Sequence, residues 1–99
     1  MLAQSDILFF LKENKDYFHN HFNIIKIGIF GSFARNQQTE KSDIDLLVVF
    51  DENTSKLFEK RMELKEYVHS AFKREVDVCH EKAIKPVFKD LILSEAIYA

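Results

Sequence analysis

Apolar residues recur along the chain with two periods, and the switches between them mark out the elements. Near the N-terminus Ile7, Phe10, Leu11 and Phe18 keep the three-to-four spacing of one helical face, with Asn14 interrupting the stripe. The spacing predicts a helix over about Asp6–Phe18, capped by the Ser5 hydroxyl, with Asp6 in the first turn where the helix dipole favours an acid. His19-Asn20-His21 then reads as a polar turn, and three adjacent turn residues do not build a metal site. Ile24–Phe30 is β-branched and almost continuously apolar, the pattern of a central strand covered on both faces. Gly28 inside it marks a place where another backbone or a ligand comes close. A second strand is expected over Asp43–Phe50, where a period of two puts Asp43, Asp45, Leu47 and Val49 on one face and Ile44, Leu46, Val48 and Phe50 on the other.

Between these strands, Phe33 to about Asn36 suits a short helical turn and Gln37–Ser42 a polar loop. After a turn at Asp51–Thr54, the residues Leu57, Phe58, Met62, Leu64, Val68, Ala71 and Phe72 follow helical spacing. Lys56, Glu59, Lys60, Glu63, Lys65 and Glu66 lie between them as a solvated face. Glu75–Cys79 reads as a short strand with Val76 and Val78 on one side and Glu75, Asp77 and Cys79 on the other. Pro86 fits the first turn of a helix reaching about Leu93, and Ala96-Ile97-Tyr98 is either an edge strand or a loose tail. Helices alternating with strands predict a single α/β domain over 1–99, with a sheet of three or four strands flanked by helices. The pattern does not fix strand order or direction.

Ninety-nine residues suffice for one core and not for two. Ten phenylalanines imply either a dense core or an apolar face awaiting a partner, the dense core being the favoured reading. The net charge of −2, from 14 basic and 16 acidic residues, argues against a protein that binds by neutralising many nucleic-acid phosphates, while leaving room for a mononucleotide. Cys79 is the only cysteine, so no internal disulfide forms and a reducing compartment is expected. No run reaches membrane-spanning length and no basic segment precedes the first apolar residues, which makes the cytoplasm the expected location.

The acids change the picture most. Aspartate is disfavoured in strands, and burying ionised carboxylates is costly unless cations compensate. Asp43 and Asp45, two residues apart, would share a face and reach a common divalent ion; such hard oxygen donors suit magnesium, which also binds substrate phosphates. The alternative is a strand that starts at Ile44 or Asp45 and leaves the acids in solvent. Asp77, an acid between two valines, would add a third carboxylate if its strand neighbours the first, and three carboxylates suit a two-metal site. Glu75 is its rival by parity. Gly31-Ser32 closes the first strand: glycine admits a close ligand, a helix starting there offers free N–H groups, and the serine adds a hydroxyl. Arg35, a turn later, can aim its guanidinium at phosphate oxygens. The Walker spacing is absent. His80 reads as a surface residue and Cys79 as a small core residue.

Gly31-Ser32 followed by Asp43-x-Asp45 resembles the signature of the polymerase-β-like nucleotidyltransferases. The fuller text, Gly-Ser-Phe-Ala-Arg then Ser-Asp-Ile-Asp-Leu-Leu-Val, is similar to the minimal nucleotidyltransferase (MNT) branch. Val76-Asp77-Val78 stands where that family carries a third carboxylate, and Glu95-Ala96-Ile97-Tyr98 resembles its closing segment. The resemblance implies a polymerase-β-like core with a mixed sheet, two Mg2+ ions and ATP as nucleotide donor. It gives Asp43, Asp45 and Asp77 as metal-binding and catalytic residues, with Gly31, Ser32 and Arg35 on the triphosphate. It implies an antitoxin that transfers AMP to a tyrosine hydroxyl of a HEPN-domain ribonuclease toxin encoded beside it, the partner completing the pocket of so small a domain. The same residues also admit a module that masks the toxin without transfer, or a small-molecule nucleotidyltransferase of the aminoglycoside-modifying type. Asn36 departs from the family's usual glycine, though asparagine tolerates left-handed backbone angles.

Overall fold

The computed structural model describes residues 1–99. In chain order the elements are α1 (Gln4–Glu13), α2 (Lys15–Phe22), β1 (Ile24–Phe30), α3 (Gly31–Ala34), β2 (Ile44–Phe50), α4 (Leu57–Phe72), β3 (Val76–His80), a 3-10 turn (Glu81–Ala83), α5 (Pro86–Glu95) and β4 (Ile97–Tyr98). The four strands form one sheet in the order β3-β2-β1-β4. It is mixed: β1 runs antiparallel to both β2 and β4, whereas β2 and β3 are parallel. The segment Gly31–Asp43, made of α3 and a loop, returns the chain antiparallel, and the parallel pair is bridged by α4.

One face of the sheet carries the core. Ile27, Ile29, Ile44, Leu46, Val48, Phe50, Val76 and Val78 pack there against Ile7, Leu11, Phe18 and Phe22 of the N-terminal helices and Leu64 and Val68 of α4. The opposite face holds Asp45, Leu47, Asp77 and Cys79. It is crossed by the chain between β3 and β4, whose 3-10 turn meets β2 and whose α5 meets β1. Tyr98 pairs with Gly28 on β1, and its hydroxyl donates to Glu81 Oε2 at 2.9 Å, tying the two ends of this crossing together. Leu47, fully buried yet outside the main cluster, lies on that second face.

Several expected boundaries move. The N-terminal helix breaks at Asn14, whose side-chain amide donates to Phe10 O at 2.8 Å and accepts from Tyr67 O–H at 2.9 Å. A side chain that bonds the preceding turn in this way competes with helix continuation. His19-Asn20-His21 therefore belongs to α2 rather than to a turn, and Asn23, at φ 60°, ends that helix. Ser5 lies inside α1; Ala3 is the capping position, and its N–H is taken by the Asp6 carboxylate at 2.9 Å. On α4 only Leu64 and Val68 are buried, while Leu57, Phe58 and Met62 of the expected stripe are exposed. β3 starts one residue later than expected and α5 runs on to Glu95. The C-terminal residues form an edge strand, and Gly28 is what lets it in: a Cβ there would strike Ile97 O and lie 2.8 Å from Tyr98 Cα.

Candidate active site

The register gathers the acids and the Gly-Ser turn at one end of the sheet. Phe30 pairs with Asp45, and Asp45 with Asp77, so the end of β1 and these two carboxylate-bearing residues stand in a row across three strands. Neighbouring strands lie about 4.8 Å apart, which puts the Asp45 and Asp77 side chains next to each other on one face. Asp43 precedes β2, which begins at Ile44, and is exposed. Its charge still reaches Asp45. The Asp45 carboxyl is pushed up from 3.8 to about 6, first by burial, then by Asp77 and Asp43, with Arg35 opposing and Glu95 adding to the rise. Glu75, outside β3 and exposed, contributes its carbonyl, which accepts Ile44 N–H at 2.9 Å and extends the β2–β3 pairing.

Gly31 is required twice over. Its φ is +74°, and a Cβ would run into Asp45 Oδ2 and sit 3.2 Å from Asp45 Cγ. Close contact between this turn and the Asp45 carboxylate is thus possible only for glycine. Asn36 has φ 59°, the left-handed conformation that asparagine accepts with little strain. Gln37 N–H donates to Ser32 O at 2.9 Å, and the half-buried Ser32 lies within the closed turn.

Sequence patterns left three supports of this turn unseen. Gln4 of α1 donates from Nε2 to Phe33 O and Ala34 O, both at 3.0 Å, satisfying carbonyls at the end of α3. Arg74 Nη1 donates to Thr39 O at 3.0 Å and Ser42 O at 2.8 Å, with its guanidinium carbon 5.4 Å from the Phe33 ring centre, which pins the loop that delivers Asp43. Glu95 accepts Gly31 N–H at 3.0 Å and Arg35 Nη1 at 3.0 Å. The Gly31 amide, expected to be free, is therefore occupied. Arg35 also donates from Nε to Gln37 Oε1 at 3.2 Å. None of these partners stands at a fixed sequence offset, so only the fold reveals them.

His80 is not a surface residue. It points to the helix face, edge-on to the Phe50 ring at 5.3 Å between centres, and burial lowers its pKa. Cys79 shares the Asp77 side, half-buried, with its thiol pKa raised by burial. Beside Asp77, a shallow groove runs along the sheet edge between Phe58, Arg61, Met62 and Lys65; Arg61 Nη2 closes it against β3 by donating to Val78 O at 2.8 Å.

A glycine-serine turn, a basic side chain and two carboxylates thus lie together at one end of a mixed sheet. The chain belongs to the polymerase beta nucleotidyltransferase family, whose model matches residues 12–98. A protein adenylyltransferase of Thermococcus cleftensis, MntA, is 34% identical over 98 residues, spanning 99% of this chain and 97% of the relative. Among solved structures, one provisionally named a minimal nucleotidyltransferase superposes with a TM-score of 0.79 at 25% identity, covering 97% of this chain and 95% of that one. A chain in the structure of a tri-AMPylated HEPN toxin of Shewanella oneidensis in complex with MNT antitoxin superposes with a TM-score of 0.59. The match covers 96% of this chain and 66% of that one, and at 20% identity it speaks to the fold alone.

Proposed function

We propose that this chain is an antitoxin that transfers AMP from ATP to a tyrosine hydroxyl of a HEPN-domain toxin in the cytoplasm. One observation carries the reading: Asp45 and Asp77 stand side by side at the sheet end closed by Gly31-Ser32. The name of the Thermococcus relative, a protein adenylyltransferase, supports transfer of AMP to a protein acceptor, and the Shewanella antitoxin that shares this fold stands in a complex with an AMPylated HEPN toxin. No helix is long and apolar enough to cross a membrane.

The donor set fits hard divalent ions. Asp45 titrates near 6 because it is partly buried beside other acids, and a bound cation would relieve that cost. No three such side chains are gathered tightly enough to hold an ion by themselves. A bound magnesium would complete its shell from water and substrate phosphates. Asp43, Asp45 and Asp77 would hold two Mg2+ ions, which when bound neutralise charge on the reacting phosphate and lower the pKa of the attacking hydroxyl. Ser32 and Arg35 receive the triphosphate, the guanidinium offering several N–H donors in a fixed fork. The acceptor oxygen enters along the groove beside Asp77. Its bond to the α-phosphorus forms as the bond from that phosphorus to the β-bridging oxygen breaks; the hydroxyl proton passes to Asp77, and pyrophosphate leaves with the electron pair.

The test is intact-mass measurement of the HEPN partner after incubation with this chain, magnesium and ATP. An AMP-sized gain, lost or steeply slowed by Asp45→Asn, is the expected result. A partner that stays unmodified yet is inhibited equally by wild type and variant would assign the protein to masking instead.

A further inference from the structure

The phosphate turn has an occupant of its own. One carboxylate holds two donors that a nucleotide would use: Glu95 Oε1 accepts Gly31 N–H and Glu95 Oε2 accepts Arg35 Nη1, each at 3.0 Å. A main-chain amide and a guanidinium converging on one oxyanion is the arrangement a phosphate group takes. The Glu95 side chain is 15% exposed, against 45% for Arg35, so it is seated within the turn rather than resting on its surface. It comes from the last residue of α5, directly before the edge strand that pairs Ile97 with Ile29 and Tyr98 with Gly28.

We propose that Glu95 is an internal competitor for the phosphate seat: the triphosphate binds by displacing it from Gly31 and Arg35, and Glu95 thereby sets nucleotide affinity. The inference rests on the nucleotide reading above. The Gly31 amide has one proton to donate and cannot serve both anions well. A phosphate placed on these donors while Glu95 stayed would add like charge at contact distance in a partly dry site that already contains Asp45. Gly31 and Arg35 thus alternate between an internal carboxylate and an external phosphate. Because Glu95 is continuous with β4, the exchange is felt at the C-terminal edge of the sheet, where Ala99 N–H bonds Ile27 O at 2.9 Å. Glu95 acts through Gly31 and Arg35, not on the reacting atoms, and is a positioning residue.

The experiment is calorimetric titration of wild type and Glu95→Gln with magnesium plus ATP, and separately with inorganic tripolyphosphate. Glutamine keeps the size and one acceptor but removes the charge. Competition predicts that Kd falls about three- to tenfold for both probes, with adenosine binding unchanged. An unchanged or weaker Kd in the folded variant overturns the inference and makes Glu95 a structural brace. Failure of both proteins to bind either probe sinks the nucleotide reading itself, and the inference with it. Should Glu95→Gln not fold, wild type alone decides: the Glu95 carboxyl 13C resonance moves as tripolyphosphate saturates, and a resonance that stays in place at saturation overturns the proposal.

Discussion

At Gly31 two constraints coincide, a left-handed backbone and contact with the Asp45 carboxylate. Gly31→Ala meets both, a left-handed penalty of about 1–2 kcal/mol and a Cβ that expels the carboxylate from its place. We expect a lower urea midpoint and loss of transfer together, because one atom damages fold and site. Asp45 gives a sharper test. Its folded pKa of about 6 lies above the ordinary 3.8, so the folded chain binds this proton more tightly than the unfolded chain does. Its contribution to stability is therefore fully present below pH 3.8 and is lost as pH rises through about 6. For a group shut off from water, a rise of this size corresponds to about 3 kcal/mol. Asp45 is only half-buried, and solvent screening brings the expected size down to about 1–2 kcal/mol. Urea titrations of the metal-free protein at pH 4 and pH 7, compared with the same pair for Asp45→Asn, isolate it. The variant should lose less stability across that range than wild type, and equal losses would refute the assignment.

Among the elements, the strands were easier to read than the turns between them. β1 is bounded where its apolar run is bounded, but it is not covered on both faces along its whole length: Ile24 and Ile27–Ile29 are buried, whereas Ile25 and Lys26 are exposed. β2 also kept its alternation, with Asp45 on the site face and Ile44, Leu46, Val48 and Phe50 in the core. The break at Asn14 was visible only as a gap in the stripe, since the side chain that bonds the preceding turn at Phe10 is held there by Tyr67, 53 residues away. Phe58 and Met62 satisfied helical spacing yet flank Asp77 at an open groove, which periodicity cannot distinguish from core. The long-range polar ties to the segment between β1 and β2, from Gln4, Arg74 and Glu95, follow no spacing rule because the tertiary fold brings them in. Arg74 tests how much such ties matter. Arg74→Met removes two hydrogen bonds to the loop before Asp43 while keeping most of the side chain's length, so a cost of about 1 kcal/mol in urea unfolding is expected. A larger loss in transfer rate than in stability would show that the loop's placement of Asp43 is what the arginine serves.

At the scale of the whole molecule, the site is assembled from both ends of the chain. Gln4 reaches the turn from the first helix, Glu95 from the last, and Gly28 admits the closing strand beside them. Gly28→Ala would place a methyl against the backbone of Ile97 and Tyr98, detach β4 and withdraw Glu95 from Gly31 without touching any of the three aspartates. Ligand binding should act in the reverse sense, on the whole domain at once. A ligand that binds only the folded chain at about a hundred times its Kd adds about 2.7 kcal/mol, and in a domain of this size each kcal/mol moves Tm by about 4–8 °C. Magnesium with a non-hydrolysable ATP analogue should therefore raise Tm by about 10–20 °C. Asp45→Asn should lose most of that rise while retaining a cooperative transition, since its amide keeps the shape and surrenders the charge proposed to hold the ion. If the rise survives in the variant, the nucleotide is held elsewhere than at the sheet end where Gly31, Asp45 and Asp77 meet.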